Sequence, residues 1–424
     1  MIEMKKAMEL LKSEGKQTFL KTMYAGKSLE QIYARYAFVL RQFEETFGLH
    51  EKIGLFSAPG RSEIGGNHTD HQGGNVVSAS INLDVMGAAA LNGSMMIRLE
   101  SDGHGVYQVD LSDRDVQPQE TNTTSALIRG VAAKMMEMGY PVAGFDAFVT
   151  SDVLPGSGLS SSASFEIWLG VAMNDLFCQG EITPEELAKI AQYAENVYFG
   201  KPSGLQDQMA SSVGGIVFID FSDPAKPAIR KLACDFTQYA LCIIDSGADH
   251  ADLTDEYAAI PYDMERIAGY FHKEKMCRIA KADFMDVLPT LRQQFGDRAV
   301  LRGFHFLQET QRAKEEADAL ISGDMEAFLH LVRESGQSSY MYLQNIFPAG
   351  ETRHQDVGIA LAVCDDLLEG QGAFRVHGGG FAGTVQAFVP NDKLTHFQEE
   401  TEKHLGEGCC HVLAIRPIGG TVVL

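Results

Sequence analysis

The 424-residue sequence contains no long uninterrupted run of apolar residues. A helix that crosses a membrane needs about 18 or more of them, and no window of that kind occurs. The N-terminal segment MIEMKKAMELLKSEGK alternates charged and apolar residues and has no apolar centre, so we expect neither a signal peptide nor a membrane anchor. These absences predict a cytoplasmic protein without a membrane partner.

Cysteine and positive charge are both scarce. The seven cysteines are scattered, odd in number and without a CxxC pair, which disfavours a disulfide framework or a zinc site and is typical of reduced thiols. Only 35 Lys and Arg residues oppose 57 Asp and Glu residues, for a formal net charge of −22. Such a surface repels phosphate backbones and anionic lipids, so we expect no nucleic-acid or membrane partner.

The pattern of apolar residues indicates an α+β fold. The apolar residues within 1–48 are spaced as in helices. In LEQIYARYAFVLRQFEETFG they fall on one face of a predicted helix: Leu29, Ile32, Tyr33, Tyr36, Leu40 and Phe43. Predicted strands (VVSASINLDVMGAAALN, MMIRLESDG, GVYQVDL, FDAFVTSDV) then mix irregularly with predicted helices (TSALIRGVAAKMMEMG, TPEELAKIAQYAENVYFG). We expect a helical extension over 1–48, a first domain over 49–225 and a second over 226–424.

The stretch SAPGRSEIGGNHTDHQGG, residues 57–74, combines glycines with chemically active side chains. It contains one cationic, two acidic and two imidazole groups: Arg61, Glu63, Asp70, His68 and His71. Such a set fits three kinds of site, namely a metal centre completed by His104, a phosphate loop or a sugar-binding loop. The stretch by itself does not separate these hypotheses.

A second glycine-rich segment, LPGSGLSSSA, lies between a predicted strand and an apolar predicted helix. Glycines permit a tight turn, and the free N–H groups at a helix start attract phosphate. A flexible linker is disfavoured because the segment runs directly into FEIWLGVAM. We therefore predict a phosphate-binding loop that consists of Pro155, Gly156, Ser157, Gly158, Leu159, Ser160, Ser161, Ser162 and Ala163.

A third glycine-rich segment, GGGFAG, formally matches GxGxxG through Gly378, Gly380 and Gly383. A dinucleotide-binding fingerprint of this kind should open a helix. The residues that follow, TVQAF, alternate as in a strand. We therefore interpret the segment as a turn between strands that lets the backbone approach a bound ligand closely.

In the order APGR…HTD, LPGSGLSSSA and GGGFAG, these motifs resemble those of the GHMP small-molecule kinases, and among them the galactokinases. The likeness runs from about Ser57 to the GGGFAG segment. It implies an α+β N-terminal domain with a left-handed βαβ crossover and a ferredoxin-like C-terminal domain. It also implies that a small-molecule sugar and ATP meet between the domains, with Mg²⁺ as cofactor and the predicted phosphate loop as the ATP site. A monomer or homodimer is expected.

The resemblance assigns roles within the first motif. GRSEIGGNHTDHQGG is similar to the galactokinase signature GRxNxIGEHTDYxxG. By that likeness Arg61 stabilises the transferring phosphoryl group, while His68 and Asp70 hold sugar hydroxyls. The implied reaction is phosphorylation of the anomeric hydroxyl of galactose. Phosphoryl transfer depends on charge neutralisation and alignment, which these residue types provide.

Further roles follow from two later motifs. In ENVYFGKPSGLQDQ the resemblance makes Asp207 the base that faces the anomeric hydroxyl and Gly204 a backbone contact to the sugar. It also makes Glu195, together with Ser162, the magnesium ligands. SGADHADLTDEY keeps the family's spacing, so Tyr257 is an implied sugar contact.

Two departures from the signature bear on the substrate. Asn67 stands where galactokinases have glutamate, and Glu63 stands where they have asparagine. The family's glutamate is associated with the C6 end of the sugar, so we expect Asn67 to contact substrate there. Asparagine removes a negative charge and would tolerate a C6 carboxylate. Galacturonate, or another galactose derivative, is therefore the alternative substrate.

Two other classes of function compete with a kinase. A metal-dependent hydrolase would use His68, Asp70, His71 and His104, but it leaves LPGSGLSSSA without a role. A non-catalytic sugar and ATP sensor on the same fold would need no turnover. The presence of both Arg61 and Asp207 favours an enzyme.

Overall fold

The computed structural model describes residues 1–154, 156–201, 203–223, 226–234, 236–247, 253–381 and 383–424. Within these ranges the helices are α1 (Ala7–Leu11), α2 (Glu14–Met23), α3 (Leu29–Phe47), α4 (Thr124–Glu137), α5 (Ser161–Cys178), α6 (Pro184–Tyr193), α7 (Gln206–Val213), α8 (Thr254–Tyr270), α9 (Lys281–Asp286), α10 (Leu288–Phe295), α11 (Asp297–Ser322), α12 (Met325–Ser338), α13 (Asp356–Leu368) and α14 (Leu394–Leu405). The strands are β1 (Ile2–Glu3), β2 (Lys52–Gly65), β3 (Asn75–Leu91), β4 (Met96–Ser101), β5 (Gly105–Asp110), β6 (Phe145–Ser151), β7 (Ile216–Asp220), β8 (Ala228–Leu232), β9 (Tyr239–Asp245), β10 (Ala373–Val376), β11 (Thr384–Pro390), β12 (Cys410–Leu413) and β13 (Thr421–Val422).

The two longest strands, β2 and β3, form the centre of a mixed sheet. Among the described residues its order is β1-β2-β3-β6-β4-β5, while β13 pairs with β2, β7 pairs with β3 and β8 pairs with β7. The first half of β3 pairs with β7 and the second half with β6, so one strand serves two neighbours on the same side. Helices α4 to α7 pack on one face and build the largest apolar core with it.

A smaller antiparallel sheet has the order β10-β11-β9-β12. Helices α13 and α14 cover one of its faces. Its other face shares an apolar core with α11, α12 and the two long strands, as shown by Ile64 and Ala79 beside Ala313, Leu329 and Phe388. This shared core brings the end of β2 close to the turn between β10 and β11.

The N-terminal helices α1 to α3 pack against β2 and β3 in a separate apolar cluster. Helix α3 begins at Ser28, whose hydroxyl accepts a hydrogen bond from the Gln31 N–H while the Gln31 side chain accepts one from the Ser28 N–H. The predicted apolar face of this helix is confirmed, because Ile32, Tyr36 and Phe43 are fully buried in the cluster.

The mixture of sheets and helices confirms the predicted α+β class, and the predicted elements of the N-terminal half appear within a few residues of their expected bounds. The stretch from Ser57 to Gly65, which the sequence had indicated as part of a glycine-rich binding segment, forms most of strand β2, because it pairs with β3 and, at Ser57, with β13. Only the following residues turn away from the sheet. Among the described residues, none of the helices has the length and apolar character that crossing a membrane requires.

Candidate active site

Arg61 and Asp207, which are 146 positions apart in the chain, form a close ion pair. Arg61 lies near the end of β2, and Asp207 lies in the first turn of α7. Both Nε and Nη2 of Arg61 approach Asp207 Oδ1 to 2.7 Å. Ser160 donates its hydroxyl to the other carboxylate oxygen. Burial acts to raise the pKa of Asp207, but the Arg61 charge and the Ser160 hydrogen bond outweigh it and hold the pKa below its usual value.

The predicted phosphate loop passes directly beside this ion pair. Gly156, Gly158 and Ser160 adopt positive φ, a conformation that the two glycines adopt without strain. The backbone N–H of Arg61 donates to the Leu159 carbonyl over 3.0 Å, and the Arg61 guanidinium donates to the Gly158 carbonyl. Strand β2 thus holds the loop, which runs straight into α5. The remaining predicted residue of the loop, Pro155, lies outside the described residues.

The predicted magnesium ligands are in contact with each other. Ser162 donates its hydroxyl to Glu195 Oε1 over 3.4 Å. Glu195 lies on the π-helical turn Ala194–Phe199 that continues α6, and only 3% of it is exposed. Three further donors hold its carboxylate: Lys201, Ser203 and Gln208.

This pair has the chemistry that a magnesium ion requires. A carboxylate and a hydroxyl oxygen are hard donors, and Mg²⁺ commonly takes one or two such protein ligands and fills its other positions with water and phosphate oxygens. The Lys201 side chain is 57% exposed, so it is free to move off Glu195 when a cation binds. Ser162 and Glu195 therefore fit the ion.

A cavity of about 510 Å³ is lined in part by Ser161 and Ser162 and does not include Arg61 or Asp207. Glu195 and His104, which the sequence analysis had named, line it too, and its other walls combine apolar and polar side chains that were not predicted: Val85, Ser101, Asp102, Tyr107, Asn122, Thr124, Leu127, Val149, Thr150, Ser151, Val153, Phe165 and Phe199. No local motif marks these positions, because they come from six separate segments.

A second cavity, of about 170 Å³, lies on the Asp207 side of the loop. Its walls are almost entirely polar or glycine: Arg61, Glu63, His68, Asp70, Ser203, Gly204, Gln206, Asp207, Gly378 and Gly379. The structure thus gathers five predicted site residues in one place. It adds Glu63, Ser203, Gln206 and the glycine turn, which the sequence had indicated as a place of close backbone approach.

Asp70 and Gly204 are packed against each other in this polar cavity. A Cβ atom on Gly204 would lie 2.1 Å from Asp70 Oδ2, so only glycine leaves room for the carboxylate. Burial raises the pKa of Asp70 to about 6. The neighbouring carboxylates of Asp207 and Glu63 act in the same direction, whereas the His71 N–H and Arg61 act against it.

We expect Asp70→Asn to stabilise the fold by roughly 1–3 kcal/mol at about pH 7.5. The folded pKa of about 6 exceeds the value of about 3.9 for an unfolded chain, so the folded state binds the proton more tightly. The ionised carboxylate therefore weakens the fold as pH rises through this window, and the gain should vanish below about pH 4. Chemical denaturation at both pH values measures the difference.

The matched variant Asp207→Asn should have the opposite effect. It removes a carboxylate from the same cavity, but one whose pKa is lowered and whose charge favours folding above its unfolded pKa. It should therefore destabilise the protein at about pH 7.5. A loss of stability in Asp70→Asn as well would contradict our account of Asp70.

His68 lines the polar cavity, and the Gly379 carbonyl determines which of its ring nitrogens carries the proton. Its Nε2 lies 3.1 Å from the Gly379 carbonyl, and because a carbonyl only accepts, Nε2 carries the proton. Burial lowers the pKa of the imidazole, so the ring is neutral and its Nδ1 is an acceptor. The backbone of His68 is left-handed, with φ of 56°.

The structure places Asn67, a predicted sugar contact, behind the cavity wall. The Asn67 side chain is fully buried and is not part of the cavity wall. Its Nδ2 donates to Glu63 Oε1 and the Gly378 carbonyl, and its Oδ1 accepts from Ser339 and Asn345. All four of its hydrogen-bonding positions are occupied, so none remains for a ligand. Glu63 is the residue that reaches the cavity.

Tyr257 also stands behind the cavity wall. Its hydroxyl donates to the Gly380 carbonyl over 2.9 Å, and its ring lies where a Cβ of Gly379 would be. The described contacts therefore show Tyr257 supporting the glycine turn. A direct contact of this hydroxyl with a ligand would require it to leave Gly380.

The side chains proposed for a metal-dependent hydrolase do not all come together, although the rings of His68 and His71 lie 5.9 Å apart. His104 lines the 510 Å³ cavity, whereas His68 and Asp70 line the polar one. In the described parts of the chain, no group of three or more His, Cys, Asp or Glu side chains is arranged to hold a metal ion.

Two family models match the chain. The model described as the N-terminal domain of GHMP kinases matches residues 126–215, and the galactokinase galactose-binding signature matches residues 41–91. Among curated proteins, the galactokinase of Streptomyces coelicolor is 30% identical over 353 residues, which is 82% of this chain and 87% of that protein. The galactokinase of Glaesserella parasuis is 30% identical over 367 residues, or 83% and 89% of the two chains.

Solved structures share the fold. A Lactococcus lactis galactokinase complexed with galactose superposes with a TM-score of 0.78 at 24% identity, covering 92% of this chain and 99% of that one. A mevalonate kinase superposes with a TM-score of 0.61 at 16% identity, covering 85% and 98%. At these identities the superpositions establish the architecture alone.

Proposed function

The chain belongs to the galactokinase family of the GHMP kinases, and on that premise we propose that it transfers the γ-phosphoryl group of ATP to the anomeric hydroxyl of galactose. Membership makes it a sugar kinase, a phosphotransferase with an alcohol group as acceptor. The shared architecture confirms the predicted GHMP kinase fold. The proposed products are galactose 1-phosphate and ADP.

The main support for this proposal is that Arg61 and Ser160 both contact the carboxylate of Asp207. Ser160 belongs to the phosphate loop, while Arg61 and Asp207 line the polar cavity. A sugar hydroxyl beside Asp207 would therefore lie next to the end of a triphosphate held by the loop. Phosphoryl transfer requires this juxtaposition of acceptor and phosphate more than it requires covalent chemistry.

In the proposed reaction, a bond forms between the anomeric oxygen and the γ-phosphorus. The bond from that phosphorus to the oxygen bridging to the β-phosphate breaks, and this oxygen leaves on ADP. Asp207 accepts the hydrogen bond of the hydroxyl and takes its proton as the new bond forms. A loose transition state demands little deprotonation beforehand, so a carboxylate with a lowered pKa is an adequate late acceptor.

The positive groups around the loop would stabilise the phosphates. Arg61 lies between Asp207 and the loop carbonyls, where its charge can meet the negative charge that develops on the transferred group. The N-terminus of α5, an 18-residue helix, favours anions at the same place. Mg²⁺ held by Ser162 and Glu195 would supply further charge neutralisation to the β- and γ-phosphates.

The rest of the nucleotide would occupy the 510 Å³ cavity, which adjoins Ser161 and Ser162. Apolar walls from Leu127, Phe165 and Phe199 suit the face of a purine ring. In the polar cavity, the carboxylate of Asp70 and the neutral imidazole of His68 would accept hydrogen bonds from sugar hydroxyls.

An ADP-release assay over a panel of sugars tests the proposal. The panel contains galactose, N-acetylgalactosamine, galacturonate, glucuronate and arabinose, each with ATP and Mg²⁺ and with a control that lacks sugar. We expect galactose to give the highest kcat/KM. Phosphorus NMR of the product should show a phosphate on the anomeric carbon.

Three results would contradict this function. Binding of galactose and ATP without ADP release would identify a sensor. Galacturonate as the best substrate would identify the alternative acceptor. A phosphate on any carbon other than the anomeric one would show that the sugar lies in the cavity in a different orientation.

A further inference from the structure

Glu63 is a buried carboxylate at the wall of the polar cavity, and only 6% of it is exposed. One of its oxygens, Oε1, is firmly held. It accepts hydrogen bonds from Asn67 Nδ2 over 2.9 Å and from the fully buried Arg375 Nη2 over 3.0 Å. The orientation of the Asn67 amide is itself determined by two donors on its oxygen, Ser339 and Asn345.

The second oxygen of Glu63 is available to a ligand. Glu63 Oε2 makes no hydrogen bond within the described residues, and it is not among their fully enclosed unpaired atoms. Because this oxygen is open to the cavity while Oε1 is held from behind, a ligand hydroxyl in the cavity can donate to Oε2 without breaking a hydrogen bond of the protein. The cavity therefore presents an acceptor whose orientation is fixed.

Glu63 lies at a distance from Asp207 that matches the far end of a sugar ring whose reacting hydroxyl is beside Asp207. Arg61 and Glu63 are two residues apart on a regular part of β2, opposite Ser80 and Ser78 of β3, so both side chains lie on the same face. Their Cα atoms are about 7 Å apart along the strand. Since Arg61 is bonded to Asp207, Glu63 stands about one sugar ring away from the proposed site of transfer.

We propose that Glu63 is the residue by which this cavity selects a neutral sugar. Its Oε2 accepts a hydrogen bond from a hydroxyl on the distal end of the sugar, and its charge rejects a sugar that carries a carboxylate there. This inference rests on the proposed function. It reverses the expectation drawn from Asn67, because the negative charge absent at position 67 is present on its hydrogen-bonded neighbour.

The cations nearby do not provide a place for a second carboxylate. Arg375 lies behind Glu63 and is bonded to its side chain and its carbonyl. Arg61 is occupied by Asp207. A uronate would thus add a negative charge to a small cavity that already contains Glu63, Asp70 and Asp207.

The variant Glu63→Gln tests the proposal, because it keeps the size of the side chain and removes its charge. We expect the wild type to prefer galactose over galacturonate by on the order of 100-fold or more in kcat/KM. Glu63→Gln should narrow this ratio by about 10-fold or more, through both a loss on galactose and a gain on galacturonate. The exposed Glu137→Gln is the matched control and should leave the ratio unchanged.

A second variant guards against misfolding, since Glu63→Gln leaves Arg375 buried without its counter-ion. Glu63→Asp keeps a negative charge beside Arg375 but withdraws the carboxylate from the cavity by one methylene, so it should weaken the binding of galactose while galacturonate stays disfavoured. The dissociation constants of both sugars, measured by calorimetry, give the same ratio independently of turnover. These binding constants test the role of Glu63 even if no sugar is phosphorylated. An absence of phosphorylation would contradict only the proposed kinase reaction.

Two outcomes would overturn the role of Glu63. One is a folded Glu63→Gln protein in which the ratio between galactose and galacturonate is unchanged. The other is a wild-type protein that binds both sugars equally well. A 6-deoxy sugar identifies the hydroxyl involved: if it is the one at C6, 6-deoxygalactose should bind to Glu63→Gln and to the wild type with equal affinity.

Discussion

Replacement of Asp207 by asparagine is expected to lower kcat by about 10²- to 10⁴-fold. The amide oxygen still accepts a hydrogen bond from Arg61, so the shape of the polar cavity is preserved. In the proposed reaction, however, the amide cannot take the proton of the sugar hydroxyl, and the negative charge that would orient this hydroxyl is gone. Steady-state ADP release at saturating galactose and ATP measures the effect.

Two comparisons make the Asp207 result specific. The exposed Asp110→Asn should leave kcat unchanged, whereas Asp207→Ala also removes the hydrogen bond to the hydroxyl. Equal losses in Asp207→Asn and Asp207→Ala would identify proton acceptance as the main contribution, and a much larger loss in Asp207→Ala would identify orientation. A folded Asp207→Asn protein whose kcat falls less than about 10-fold would contradict our assignment.

Replacement of Asp84 by asparagine is expected to lower the free energy of unfolding by about 3–5 kcal/mol. Asp84 lies on β3 and is fully buried. Its carboxylate bonds Arg35 of α3 over 2.8 Å, Tyr24 at the end of α2 over 2.7 Å, and also Ser57 of β2 and the buried Arg416. Loss of the charge would leave the Arg416 guanidinium without its counter-ion inside the protein.

The pH dependence of this effect has a definite sign. Burial opposes ionisation of Asp84, but Arg35 and Arg416 outweigh it and hold the pKa below its usual value. The carboxylate therefore contributes stability above the unfolded pKa of about 3.9 and loses it as pH falls through the folded pKa. The difference between wild type and Asp84→Asn, measured by urea denaturation, should shrink in strong acid.

An exposed ion pair is the control for Asp84. Asp297 pairs with Arg292, and both side chains are at least 60% exposed, so Asp297→Asn should leave the free energy of unfolding almost unchanged. A similarly small cost for Asp84→Asn would show that the buried cluster does not join the N-terminal helices to the sheet. A large cost would give residues 1–48 a structural role in the kinase.

Local patterns in the sequence determined much of the fold and the identity of many site residues. The capping of α3 by Ser28 and its apolar face depend on residues at most one or two turns apart, so periodicity was enough to predict them. The glycines and serines of residues 156–162 likewise indicated a tight turn before a helix. The motifs around Arg61 and Asp207 indicated the family, and the tertiary structure then placed these two side chains in contact.

The surroundings of Glu63 and Asn67 were decided by the tertiary structure alone. Nothing within ten residues of Asn67 predicts that Ser339, Asn345 and the Gly378 carbonyl would occupy its amide. Sequence analysis found that an acid and an amide had departed from the family pattern, but it could not tell that the acid lines the cavity and the amide lies behind it. The burial and hydrogen-bond partners of a side chain depend on segments hundreds of residues away, and only folding brings those segments together.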